Sequence, residues 1–285
     1  MKSCLREECN RAFRNQMFLG ALIIGFLFSF INIAENIQRA AELSTLTLES
    51  IADGMQINKS CTGFSLFISW MALHPTGMGS NLFYFLMPVL AAIPYGWSYN
   101  QDRRSGYFNQ IVTRCGKRNY FLGKFLAVFL SGGAVAALPM AGDLLLNAMI
   151  LPDRAVYIYD MLLPVCDYSL AGELLYTNRW LYAILWCGMT FLWGGVFACM
   201  TFLPGTHLRF SALVVLSPFA ILLGLDAVIS ALGQFFNTKF FSVHYLVRPG
   251  STAYSPQWAV LTFLCAFFIV TAAVCYWRVT KHELE

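Results

Sequence analysis

Apolar residues in this chain come in long unbroken runs, with the polar residues gathered between them. Six runs reach the length of a membrane crossing: 17–34, 80–99, 125–150, 180–202, 211–232 and 257–277. A hydrocarbon layer of ~30 Å needs about 20 helical residues. The runs are continuous rather than alternating, which excludes a transmembrane barrel. The piece from Phe64 to Leu73 is apolar but too short to span, and is expected to be interfacial or re-entrant. The expected fold class is therefore an all-α membrane protein with six transmembrane helices spread over 17–285.

Ahead of the first run, residues 1–16 are polar with a helical period. Leu5, Cys9, Ala12 and Phe13 share one face, and Arg6, Asn10 and Arg14 another. That pattern predicts an N-terminal interfacial helix with its basic residues toward headgroups; a disordered basic tail is the alternative. The first run is too long for the apolar core of a signal peptide and no small-x-small site closes it, so it reads as an uncleaved helix.

Between the second and third runs the pattern changes again. Tyr107, Phe108, Ile111 and Val112 form an apolar stripe at helical spacing, surrounded by Arg103, Arg104, Arg114, Lys117 and Arg118. A short helix lying along the membrane surface is expected here, then a break at Gly116 and a new helix from Asn119 into the third run. By charge alone this segment also reads as a plain basic loop that binds anionic membrane lipid.

Composition agrees with a membrane protein. Of 285 residues, 58% are hydrophobic, 16% aromatic and 12% charged, with a mean hydropathy of +0.59; soluble domains carry about 25% charged residues. The 19 Lys and Arg are split unevenly. With the N-terminus inside, thirteen fall on cytoplasmic segments and six on outer ones, so both termini are expected in the cytoplasm. The net charge of +4 reflects this asymmetry and is not a nucleic-acid-binding patch.

The outer loops offer little chemistry. Loop 35–79 contains the sequon Asn58-Lys59-Ser60, loop 151–179 carries Asp153, Asp160, Asp167 and Glu173, and loop 233–256 is rich in aromatics that suit the interface. Cys61 and Cys166 both fall in outer loops, where a disulfide is open to them. Cys187, Cys199, Cys265 and Cys275 sit in runs as small hydrophobes, and Cys4 and Cys9 have the wrong spacing for a metal clip. His74, His207, His244 and His282 are scattered and make no metal cage. No catalytic set is visible.

Asp143 and Asp226 lie inside the third and fifth runs. Intramembrane carboxylates tend to face a cavity or a partner, so both are candidates for lining a pathway. Both are in the outer halves of their helices, and pairing with Arg154 or Lys239 is the alternative. Pro88, Pro94, Pro139 and Pro218 interrupt helix hydrogen bonding. Gly132-Gly133 and Gly194-Gly195 allow close helix approach, either within the chain or at a dimer seam.

The basic segment resembles the cytoplasmic loop of ABC-2 type transporter permeases. The matching elements are Asp102, Gly106, Ile111-Val112, Lys117-Arg118, Tyr120 and Gly123-Lys124. The layout of an interfacial helix, six spans and an aromatic dip before the last span is similar too. Tyr107 stands where Thr often follows the glycine, and the proline often found before the basic cluster is missing. The resemblance implies that segment 101–118 is a coupling helix seated on a separate ATPase, with Asp102, Arg103, Arg104, Gly106, Tyr107, Phe108, Ile111 and Arg114 making the contact. It implies a pair of permeases, identical or not, exporting a substrate across a bacterial plasma membrane. ATP and Mg would be bound by the ATPase partner: Gly116-Lys117 and Gly123-Lys124 lack the rest of a phosphate-binding loop. The alternative is a polytopic protein with no ATPase, either an intramembrane enzyme or a channel-like immunity factor.

Overall fold

The computed structural model describes residues 2–52, 65–153, 165, 169–205, 208, 210–235, 246–249 and 257–281. Among these, all regular structure is helical. In chain order the helices are α1 (Lys2–Phe13), α2 (Gln16–Ala52), α3 (Leu66–Ser69), α4 (Met78–Ala92), α5 (Ser98–Arg104), α6 (Tyr107–Cys115) and α7 (Lys117–Ile150). They are followed by α8 (Gly172–Thr177), α9 (Arg179–Met200), α10 (Ser211–Phe235) and α11 (Gln257–Lys281).

Four helical stretches are long and apolar enough to cross a membrane: Gln16–Glu42, Lys117–Ile150, Arg179–Met200 and Ser211–Gly233. The runs 80–99 and 257–277 give shorter apolar stretches, Met78–Ala92 and Val260–Val274. Run 80–99 is not one helix. The chain turns at residues 93–97, around Pro94, and restarts as α5. A proline supplies no backbone donor and crowds the preceding turn, which is why the break falls there.

The long helix α7 is the axis of the bundle. It packs against α1, α2, α4 and α9, and α9 is its most extensive neighbour. The glycine pairs serve this packing inside the chain. A Cβ on Gly132 would lie 2.4 Å from the Ala198 methyl and 2.8 Å from the Ala91 carbonyl, and one on Gly194 would lie 2.6 Å from the Ala136 methyl. Only hydrogen fits at these crossings, and the close backbones gain dispersion contact along their length.

The apolar piece after residue 64 sits in the interior, not at a surface. Ser65 caps α3, its hydroxyl accepting from the Ile68 N–H at 3.4 Å, and Leu66 through Leu73 are all buried. Large side chains elsewhere face outward: Ile184 on α9, Leu145 and Met149 on α7, and Ile269 on α11 are more than half exposed. A surface this apolar suits lipid rather than water.

Candidate functional site

The second half of α1, the end of α5 and the start of α7 meet around one fully buried lysine. Lys124 lies on α7, one helical turn after Tyr120, so both project from the same face. Its ammonium donates to Asp102 Oδ2 at 2.5 Å and to the Tyr95 hydroxyl at 3.2 Å, and lies 3.1 Å from Glu8 Oε2. The Tyr120 hydroxyl donates to the same Asp102 oxygen at 2.7 Å, and the Tyr95 hydroxyl to Glu8 Oε2 at 2.7 Å. Arg11, one turn beyond Glu8 on α1, donates to Glu8 Oε1 at 3.2 Å and to Asp102 Oδ1 at 3.4 Å.

Two cations thus balance two carboxylates. Lys124, Glu8 and Asp102 are buried, while the Arg11 side chain is 42% exposed and forms the water-facing edge. The cluster is affordable in an apolar interior because each charge is paired and hydrogen-bonded. It joins α1, the α4–α5 turn, α5 and α7 into one unit.

Helix α6 hangs from that unit without being part of its core. None of its residues is buried. Gly106 before it has φ +73° and Gly116 after it φ +77°, both in the region that favours glycine. Each end of α6 is therefore a one-residue joint, and Gly116 connects it directly to α7. Its inner face carries Tyr107, whose ring lies 4.9 Å from the Arg11 guanidinium, and Phe108, edge-on to Tyr120 at 5.5 Å and to Tyr99 at 6.4 Å. Burial pushes the Tyr107 phenol up. Asn109, Gln110, Thr113 and Arg114 face outward, alongside exposed Arg103, Arg104 and Arg118. The Cys4 thiol of α1 adjoins Cys115 at the end of α6, and burial followed by that neighbour pushes it up to about 11.

The expected coupling residues therefore divide into two groups. Arg103, Arg104 and Arg114 are exposed, and Ile111 is half-buried at the edge of the same helix face. Asp102 is turned inward and committed to Lys124, Tyr120 and Arg11, so it cannot form an external contact as it stands. Glu8 and Tyr95 were not singled out by sequence pattern, and Lys124 entered only through the Gly123-Lys124 element, with no role given to it. The available signal was a lysine four residues after a tyrosine, one turn inside an apolar run.

A second polar cluster lies toward the other end of α7. Asp143 is fully buried and accepts from the Met71 N–H at 2.8 Å, Asn32 Nδ2 at 3.1 Å and Asn147 Nδ2 at 3.0 Å. Asn36 Nδ2 donates to the Ser69 carbonyl at 2.8 Å and to Asn147 Oδ1 at 3.2 Å. These bonds fasten the segment after α3 to α2 and α7. His74 closes the cluster: Arg39 donates to its Nε2, and its Nδ1–H donates to Asn32 Oδ1 at 3.0 Å. Burial and the neighbouring Arg39 hold His74 down at about 4. Asp226 is half-buried on α10. Arg154, Lys239, Cys61, Cys166, Asp160, Asp167, His207, His244, His282 and the Asn58 sequon lie outside the described residues, as does most of the aromatic loop.

Among the described residues no three His, Cys, Asp or Glu gather where they could hold a metal ion. No protein-family model matches the chain, and no curated protein or solved structure is significantly similar to it.

Proposed function

We propose that the chain is the membrane subunit of an ATP-driven exporter of the ABC-2 type, paired with a second permease and driven by separate ATPases. The observation that carries this reading is α6. It is a short amphipathic helix with an outward basic and polar face, no buried residue, and a single glycine between it and the central helix α7. A helix built that way has little structural work inside the chain and is well placed to receive a partner.

The mechanism follows from the joints. In this reading α4 with its turn, and α11, complete six crossings, with both termini in the cytoplasm and α6 lying on that side. A docked ATPase pushes on α6. The Gly106 and Gly116 joints let α6 tilt without unwinding α5 or α7. The Glu8–Asp102–Lys124 cluster makes α1, α5 and α7 answer as one body, so a displacement at α6 moves the bundle axis rather than a loop. Contacts from Arg103, Arg104 and Arg114 to carboxylates on the partner would be charge-assisted.

The test is whether exposed basic residues govern both partner binding and transport. Reversing Arg103 and Arg104 to Glu is expected to abolish ATP-dependent export while leaving the protein inserted; normal export by that variant removes the reading. A stand-alone membrane protein is the second reading, favoured by the buried polar cluster around Asp143. It requires activity without nucleotide and its loss on Asp143→Asn.

A further inference from the structure

An open trough of about 900 Å³ runs between the start of α2, the α4–α5 elbow and the start of α10. Its size is at the upper end of small-molecule sites, about 300–1,000 Å³. One wall is a stripe of residues four apart, Val89, Ile93, Trp97, Gln101 and Ser105. The stripe grades from aliphatic through an indole to polar. The opposite wall, from α10, repeats the gradient over one turn: Ser211 lies at the start of the helix, and Val215 and Leu216 one turn further along it. Arg104 stands at the polar lip beside Gln101 and Ser105 and is exposed.

A gradient of this kind fits an amphiphile, not a second protein chain. The walls away from the lip are apolar, the middle carries a tryptophan of the type that settles at membrane interfaces, and the lip carries a guanidinium with an amide and a hydroxyl. Guanidinium groups match phosphate oxygens with paired donors. The helix ends that form the lip belong to the same end of the bundle as Glu8 and Lys124, where the exposed arginines among the described residues are concentrated.

We infer that this trough is a binding site for an anionic phospholipid, with the headgroup phosphate at Arg104, Gln101 and Ser105 and an acyl chain along Ile93, Val215 and Leu216. The bound lipid would brace α5 against α10, beside the elbow that carries α6. The inference needs the chain to sit in a membrane and is independent of any ATPase.

Native mass spectrometry of the full chain in detergent, supplied with phosphatidylglycerol or phosphatidylcholine, tests it directly. Wild type is expected to retain phosphatidylglycerol roughly five-fold better, the worth of one basic side chain at an anionic headgroup. Arg104→Gln should remove that preference, Arg104→Lys should keep most of it, and Arg6→Gln, exposed on α1, should leave it intact. Leu216→Trp, which adds bulk to the apolar wall, should lower retention of both lipids. Equal retention of the two lipids by wild type overturns the inference. So does equal sensitivity to Arg6→Gln and Arg104→Gln, or displacement of the lipid by inorganic phosphate alone. Disulfide-linked dimers formed through Leu216→Cys would assign the trough to a second copy and overturn it as well.

Discussion

Lys124 Nζ lies 2.5 Å from Asp102 Oδ2, and both side chains are shut away from solvent, 22 residues apart in sequence and on different helices. This ion pair decides how the basic end of the molecule behaves. Removing one partner of a buried pair leaves the other charged and unmatched, which costs about 3–5 kcal/mol. Lys124→Met should therefore lower the thermal stability of the detergent-solubilised protein severely. Combining it with Asp102→Asn should cost clearly less than the sum of the two single changes, since the partners act as a unit. Additive losses in a double-mutant cycle would mean that the pair is not coupled.

Gly106 bears on mobility rather than packing. A Cβ there would meet nothing within 4 Å, so the only obstacle to a side chain is φ +73°. Gly106→Ala should cost roughly 1–2 kcal/mol, concentrated in the α5–α6 joint, and Gly106→Asn should cost less because Asn tolerates this backbone region. The proposed coupling predicts that Gly106→Ala reduces nucleotide-dependent export more than it lowers the melting temperature. Equal export by all three proteins would show that the joint does not have to move.

The α7–α9 crossing predicts a contrast between two glycines on one helix. Gly194→Leu must force apart backbones that already touch, and should cost about 3 kcal/mol, the upper end of the usual cost of overpacking. Gly188, with open space around its missing Cβ, should accept Ala with a gain of about 0.5–1 kcal/mol from helix propensity. Both are read by melting in detergent. Similar behaviour of the two variants would contradict the packing described.

His74 makes stability depend on pH. Its folded value is depressed from the ordinary 6.5 to about 4, so between those values the unfolded chain takes up a proton that the folded chain refuses. The contribution is complete above pH 6.5 and is lost as pH falls toward 4, amounting to about 3 kcal/mol at most. The charged neighbours are Arg39 and Glu35 on α2 and, beyond Asn32, Asp143 on α7. Melting temperature should fall through this window in wild type. His74→Gln should flatten the fall, and an unchanged slope in that variant would place the titrating group elsewhere.

Much of the framework was legible as pattern. The apolar runs mark the helices, and the break expected at Gly116 is where α6 ends and α7 begins. The start of α7 was legible, but the role of its lysine was not. The helix expected from Asn119 begins at Lys117, and what the pattern did not show is that Lys124 on it is buried and neutralised by residues from α1 and α5. Only a tertiary contact reveals that. Glu8 was hidden for the same reason. On a helical wheel it falls between Cys4 and Ala12, away from Arg6, Asn10 and Arg14, and in the folded chain it sits against Lys124 and Tyr95 and is 1% exposed. The site around Asp143 was half visible: the carboxylate stood out within its apolar run, while its donors Asn32, Asn147 and the Met71 N–H came from the fold.

The most direct test of the central claim is co-purification of the tagged full chain from its native membrane in mild detergent, with mass spectrometry of what accompanies it. The account predicts an associated ATPase subunit carrying a phosphate-binding loop, lost when Arg103 and Arg104 are changed to Glu and retained when Arg6 is. Recovery of a properly folded chain with no ATPase, or of an ATPase that stays bound to the Arg103/Arg104 variant, would contradict it.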